Sequence, residues 1–414
     1  MPINGKIELP GDKSISHRAL ILGSLSNDIS KIKNLSSAND VISTRNCLKA
    51  CGINIDDKND IVLIQGGTFS NPINSLDCGN SGTTARLLLG LLTGNNISAT
   101  LIGDKSLSNR PMNRIIKPLE QMGAAINSNA GSLPIRINKS KGLNPIDYSR
   151  PIVSAQIKSA IIIASIKTIG TTTIHEKYKS RDHTEIMLKN MGVDISIKDR
   201  IIINNNKNNL KSVNIEIPGD PSSAAYFIGA AAMIPSSHLV IKNILCNPTR
   251  IKYVEIINKM GGNIKIKNKR RKYGELFGDI EVAYKPLRGI TINKNIIPQI
   301  IDEIPILSII ASQASGYTLI KGIDELRCKE CDRVEAIEKN LSNMGGEIHT
   351  TNSSISINGP NILHNTTIRT YNDHRISMAF AIAGLLTGKY NNIDNTECIS
   401  TSFPDFFNIL KEIA

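Results

Sequence analysis

A recurring joint constrains this chain more than any other feature: an amphipathic helix, a residue pair ending in glycine, then a short alternating strand. It occurs at Cys51-Gly52-Ile53, Met122-Gly123-Ala124, Met191-Gly192-Val193, Met260-Gly261-Gly262 and Met344-Gly345-Gly346. The glycines at 52, 123, 192, 261 and 345 are therefore 71, 69, 69 and 84 residues apart. Ahead of each lies a helical apolar spacing, clearest in Val334, Ile337, Leu341 and Met344. Gly directly after the last such residue is the expected left-handed helix cap. The alternation of Val193, Ile195 and Ile197 beyond one cap reads as a strand. A period near 70 in 414 residues predicts six repeated αβ units, the last helix falling over Pro404–Ile413.

A second recurrence pairs the halves. Pro10-Gly11-Asp12-Lys13-Ser14 is echoed by Pro218-Gly219-Asp220-Pro221-Ser222, and an Ala-containing helical segment follows each. The reading is an α/β protein of two similar domains with three units each. One spans residues 11–218, the other 1–10 plus 219–414, with the chain crossing at both echoes and a ligand cleft between them.

Composition narrows the class of function. Trp is absent and aromatics are 4%, which disfavours a base-stacking nucleic-acid platform. The net charge of +13 suits anionic ligands, although a general Lys, Asn and Ile enrichment accounts for part of it. No run approaches the ~18 apolar residues of a membrane helix, and the first residues lack the apolar core of a signal peptide. Seven cysteines, an odd number, argue for a reducing compartment, with the cytoplasm as default. Cys47 and Cys51, four apart, read as core packing. Cys328 and Cys331 form a C-x-x-C pair with no second pair at ligand spacing, so zinc is not indicated.

Three N-terminal clusters join glycine, hydroxyl and basic residues, as anion binding at helix N-termini requires. They are Gly11-Asp12-Lys13-Ser14-Ile15-Ser16-His17-Arg18, Cys78-Gly79-Asn80-Ser81-Gly82-Thr83-Thr84-Ala85-Arg86, and Gly103-Asp104-Lys105-Ser106-Leu107-Ser108-Asn109-Arg110. Each alone also fits an ordinary helix cap. Neither a Walker loop nor a Rossmann glycine motif is present, so ATP and NAD are not suggested. The C-terminal half adds Arg327-Cys328-Lys329-Glu330-Cys331-Asp332-Arg333 and Tyr371-Asn372-Asp373-His374-Arg375. A charged helix start and a solvated face both fit the first, and His374 fits either a working or a core histidine.

Taken in order, these clusters resemble the EPSP synthase family, in the branch called class II, over Leu9 to Phe407. The resemblance implies the enolpyruvyl transferase fold, two domains of three βαβαββ-type units around buried helices. It implies attack of the 5-hydroxyl of shikimate 3-phosphate on phosphoenolpyruvate, then loss of phosphate, with no cofactor and no metal. It further implies that Lys13 touches both substrates and that Ser14, Arg18, Ser154, Gln156, Ser180, Asp302 and Lys329 bind shikimate 3-phosphate. Gly82, Arg110, Gln156, Arg333 and Arg375 are expected on phosphoenolpyruvate. Lys13, Asp302, Glu330 and His374 form the expected catalytic set, Asp302 beside the reacting hydroxyl and Glu330 as proton donor.

Departures from the family pattern are visible as well. Ala155, in Val153-Ser154-Ala155-Gln156, removes a hydroxyl found in some members. Thr401 replaces a basic residue, and Glu325 stands where others have Asn. Gly82 occupies a position that is Ala in glyphosate-tolerant relatives, which implies sensitivity to that inhibitor. The related UDP-N-acetylglucosamine enolpyruvyl transferases generally carry a reactive Cys in a mobile loop, and residues 104–114 hold none. A basic RNA-binding role would draw on Lys269-Arg270-Arg271-Lys272, which reads instead as a solvated hairpin tip. The expected partners are the two small anions, with no nucleic acid or membrane, and the expected state is a monomer.

Overall fold

The computed structural model describes residues 2–149, 154–205, 209–388 and 391–414; Val153 lies outside them. The five joints are built alike. Gly52, Gly123, Gly192, Gly261 and Gly345 have φ between 89° and 103°. At each, the glycine N–H returns to a carbonyl of the last helical turn and the next N–H reaches one residue further back. Gly52 to Lys49 and Ile53 to Leu48 is one instance, Gly345 to Ser342 and Gly346 to Leu341 another. This two-bond closure satisfies carbonyls that the helix end leaves open, and only glycine enters that backbone region without steric penalty.

Beyond each cap the next two strands form a hairpin. Asn54–Lys58 pairs with Ile61–Gln65, Ala125–Asn129 with Ser132–Asn138, Asp194–Ile197 with Arg200–Asn205, and Glu347–Thr350 with Ser354–Gly359. In Ser132–Asn138 the residues Leu133, Ile135 and Ile137 are buried and their neighbours are not, the period of two that seats one face on a core. The strands Leu76–Asp77, Ala99–Ile102, Ala125–Asn129 and Ser132–Asn138 form one sheet in the order first, second, fourth, third. The same order recurs in the sheets of residues 147–205 and 291–359.

Two sheets share this pattern with an exchanged edge. Asn4–Glu8 pairs in parallel with His238–Leu245, while Asn214–Glu216 pairs with Ile29–Lys33. The first strand thus belongs to the sheet of residues 238–283, and Asn214–Glu216 completes the sheet begun at Ile29. The sixth sheet has only Thr367–Ile368 and Asn392–Ile393 among the described residues. The last helix is Phe406–Ile413 rather than 404–413, because Asp405 takes the N-cap position. Lys269–Lys272 is not the hairpin tip: it lies in the exposed strand Asn263–Lys272, and the turn follows at Tyr273-Gly274. Arg270 stacks 4.7 Å from the Phe277 ring centroid.

Six helices are buried along most of their length: Lys13–Gly23, Gly82–Gly94, Ala155–Ser165, Pro221–Met233, Ile304–Gln313 and His374–Leu386. Each is the first long helix of its repeat, and apolar residues on nearly all sides suit a helix enclosed by others. The chain divides into two compact units, each with three of these helices. Gly11–Ile217 with Tyr273–Glu275 is called the N-terminal unit. Met1–Pro10, Pro218–Lys272 and Leu276–Ala414 form the C-terminal unit. No helix among the described residues is long and apolar enough to cross a membrane.

Within the N-terminal unit the Gly82 and Ala155 helices touch backbone to backbone. A Cβ on Gly90 would lie 2.2 Å from the Ala160 carbonyl oxygen, and one on Gly94 would lie 3.0 Å from the Ala164 Cα. This approach sets the first turns of the two helices side by side.

Candidate active site

In the N-terminal unit the motif residues collect at helix starts. Asp12 caps the Lys13 helix by accepting from the Ile15 N–H at 2.7 Å. Lys13 Nζ donates to Asp40 at 2.8 Å, and Ser14 Oγ lies 3.3 Å from Arg181 Nη1. One turn on, Arg18 is 3% exposed. Its guanidinium donates to Thr184 Oγ1 at 2.8 Å, Ser159 Oγ at 3.0 Å and the Ser14 carbonyl at 2.9 Å. Ser159 and Thr184 are themselves bonded at 2.7 Å.

Ser81 caps the Gly82 helix by accepting from Thr84 N–H. Arg110 reaches the same loop, donating to Asn80 Oδ1 at 2.7 Å. Ser154 caps the Ala155 helix by position, and its carbonyl accepts from Lys158 N–H. Gln156 spans to the neighbouring helix start: Arg86 Nη1 donates to its Oε1 at 2.8 Å, and its Nε2 donates to Thr83 Oγ1 at 3.0 Å. Ser180 donates through N–H and Oγ to Glu176 Oε1, at 2.8 and 2.5 Å. Behind it Lys158, 1% exposed, bridges Glu176 at 3.3 Å and Glu185 at 2.7 Å.

A buried hydroxyl relay joins the first two helix starts. His17 Nδ1 meets Thr44 Oγ1 at 2.7 Å, Thr44 meets Thr84 Oγ1 at 2.6 Å, and Thr84 donates to Ser81 Oγ at 2.7 Å. All four residues are fully buried. Burial, then Lys13 and Arg18, hold the His17 pKa well below its ordinary value, so the ring is neutral.

The C-terminal unit gathers the other candidates. Asp332 caps the helix beginning at Arg333, and Asp373 caps the one beginning at His374. Arg333 is 1% exposed. It bonds Asp373 at 2.7 Å and Glu330 at 2.5 Å, with Asp302 at 3.5 Å. Burial alone would lower its pKa, but these carboxylates outweigh burial and raise it well above the usual value. Arg375 lies 3.6 Å from Asp302 and donates to its backbone carbonyl at 3.1 Å. Lys329 is half-buried. Desolvation lowers its pKa, partly opposed by Asp302. His374 is buried in the first turn of its helix. Cys331 directs its thiol at Asp373, which accounts for the second cysteine of the C-x-x-C pair.

The motif residues thus fall into two clusters, one in each unit. Within each cluster, residues not assigned a role from sequence hold the motif residues: Arg86, Asp40, Glu176, Lys158 and Arg181 in the N-terminal unit, and Asp373 in the C-terminal unit. Arg86 and Asp373 stood inside the quoted motifs, whereas the Asp40 and Glu176 pairings depend on helix packing that no local pattern reports.

A family model for EPSP synthase (3-phosphoshikimate 1-carboxyvinyltransferase) matches residues 1–410. The chain belongs to the EPSP synthase family. The 3-phosphoshikimate 1-carboxyvinyltransferase of Thermoanaerobacter sp. (strain X514) is 43% identical over 98% of this chain and 96% of its own. The protein of that name from Petrotoga mobilis is 45% identical over 99% and 97%. The EPSP synthase structure from Acinetobacter baumannii superposes with a TM-score of 0.88 at 36% identity, covering 100% of this chain and 96% of that one. The enolpyruvyl transferase NikO from Streptomyces tendae, 16% identical, shares the fold at a TM-score of 0.80. Among the departures of this EPSP synthase family member, Thr401 closes the short 3-10 turn Glu397–Thr401, and Glu325 lies half-buried where its charge acts on Lys329.

Proposed function

We propose that the enolpyruvyl transfer performed by this enzyme, from phosphoenolpyruvate to the 5-hydroxyl of shikimate 3-phosphate, is divided between the two clusters by charge. Ser14, Arg18, Ser154, Gln156 and Ser180 hold shikimate 3-phosphate, with Lys329 as a further contact. The Gly82 backbone and Arg110 receive the phosphate of phosphoenolpyruvate, Gln156 contacts it too, and Arg333 with Arg375 take its carboxylate. Lys13 touches both substrates. Fixed cations and helix N-termini offset the repulsion of two anionic ligands and stabilise charge that develops during transfer.

The observation that carries the chemistry is Asp302, set 3.5 Å from Arg333 and 3.6 Å from Arg375. A carboxylate so placed is favoured in its ionised form and can accept the 5-hydroxyl proton as oxygen bonds to C2. Glu330 holds Arg333 Nη2 at 2.5 Å. A substrate carboxylate that takes over this donor frees Glu330 to carry a proton to the methylene carbon. The resulting ketal phosphate then loses phosphate and a methyl proton, which restores the enol ether. His374, buried in the first turn of its helix, is the fourth member of the catalytic set. Seven free thiols, four of them buried, fit a cytoplasmic enzyme, and we take it to act as a monomer.

The test is phosphate release from purified protein with each substrate omitted in turn. Release that needs both, and that Lys13→Ala abolishes, is expected. Release with UDP-N-acetylglucosamine but not shikimate 3-phosphate as acceptor would overturn the reading.

A further inference from the structure

We propose that Arg86 is a positioning residue for phosphoenolpyruvate at this site, fixing the Gln156 amide and filling the space that any side chain at position 82 would need. The inference rests on the reading above that the Gly82 backbone and Gln156 contact phosphoenolpyruvate.

Three features of the N-terminal unit converge on Arg86. The first is the amide. A guanidinium can only donate, so the group facing Arg86 Nη1 at 2.8 Å is the Gln156 oxygen, and the amide nitrogen must face away. One of its N–H groups is spent on Thr83 Oγ1 at 3.0 Å. Both ends of the amide are therefore tied to the first turn of the Gly82 helix, and the direction of the remaining N–H is fixed before any ligand arrives.

The second feature is the frame. Gly90 and Gly94 let the Gly82 and Ala155 helices touch along their backbones, so Arg86 and Gln156 cannot drift apart by small helix movements. The third is the empty place at Gly82. A Cβ built there would lie 2.6 Å from Arg86 Nη1 and 3.3 Å from Arg110 Nη1. The nearer atom ends a flexible side chain. A methyl group would thus be accommodated by swinging the Arg86 guanidinium, not by moving the backbone. That swing breaks the bond to Gln156 and presses on the second arginine. Position 82 is in this way coupled to Gln156 through Arg86, and the fold itself does not depend on the coupling.

The experiment is a double-mutant cycle on phosphoenolpyruvate KM, read by phosphate release, with thermal midpoints recorded for every variant. Gly82→Ala in the natural background is expected to raise that KM about tenfold, the scale of one lost charge-assisted hydrogen bond. Arg86→Ala is expected to do the same. Gly82→Ala added to Arg86→Ala should then change KM by less than about twofold, because the side chain it displaces is already gone. Arg86→Lys, which keeps the charge but not the planar reach, should fall between natural enzyme and Arg86→Ala at an unchanged midpoint. Effects that multiply across the cycle overturn the proposal while leaving the site reading intact. A phosphoenolpyruvate KM unmoved by Gly82→Ala in both backgrounds overturns the site reading and the proposal together.

Discussion

Arg18, one turn into its helix, and Arg333, at the start of its own, are both buried, and the protein holds them in opposite ways. Arg18, in the N-terminal unit, is steered by two hydroxyls and a carbonyl. Arg333, in the C-terminal unit, bonds Asp373 and Glu330 and has Asp302 close by. Hydroxyl and carbonyl partners orient a guanidinium without cancelling its charge; carboxylates cancel it. A buried cation caged by carboxylates cannot lose a partner without cost, because the charge left behind is uncompensated. A cation steered by neutral groups serves mainly the ligand that arrives. With the roles proposed above, the same residue type does structural and chemical work in one unit, and recognition in the other.

Removing Asp373 tests the caged side and should have the largest effect. Asp373→Ala takes away the carboxylate that meets Arg333 through both of its oxygens and the cap of the His374 helix, where it accepts from the Arg375 N–H at 2.8 Å. The expected loss is about 3–5 kcal/mol, seen as an early denaturation midpoint in urea. Asp373→Asn keeps the cap oxygen and should lose less. An unchanged midpoint in Asp373→Ala would break the contrast. On the other side, Thr184→Val deletes one hydroxyl partner of Arg18 at nearly constant volume. A loss of about 1–1.5 kcal/mol should appear as roughly a tenfold rise in the KM for shikimate 3-phosphate. The urea midpoint should shift far less than with Asp373→Ala. Equal midpoint shifts in the two variants would mean that the partners, charged or neutral, do the same job.

How much of this was legible in the sequence depends on the range of the forces involved. The glycine caps were legible because a left-handed cap admits few other residues, and the Gly–carbonyl closures at 52 and 345 are local. The helix Ala155–Ser165 is enclosed along most of its length, in keeping with its lack of a polar face. The exchanged edge strands were not legible: alternation in Ile29–Lys33 shows that a strand forms, not that its partner is Asn214–Glu216. Nor was the reduced sixth sheet, since the repeat count rested on helices. At the site, the motifs named the arginines but not their partners. Arg86 stood in plain view, yet its role depends on Gly90 meeting Ala160, seventy residues away. Asp40 and Glu176 gave no local signal at all, because an acidic residue reads the same whether it faces water or a buried lysine.

The smallest effect separates the two units by pH. His17 lies in the hydroxyl relay beside Lys13 and Arg18, and burial together with those cations depresses its pKa. The unfolded histidine titrates near pH ~6.5. Above that value the ring is neutral in both states, and the relay contributes in full. As the pH falls below it, the unfolded chain binds a proton that the folded chain refuses, so stability declines until the folded pKa is reached. The slope for one such group is about 1.4 kcal/mol per pH unit at most. Urea midpoints measured from pH 7 to 5 should therefore fall for the natural protein and fall less steeply for His17→Asn, which keeps a polar group near Thr44. Asp373→Asn should leave that slope in place, because its charge acts in the other unit on a guanidinium that does not titrate in this range. Parallel curves for the natural protein and His17→Asn would place the acid sensitivity elsewhere. Lys13 and Arg18 would then leave the charge state of their buried neighbour His17 without effect on stability.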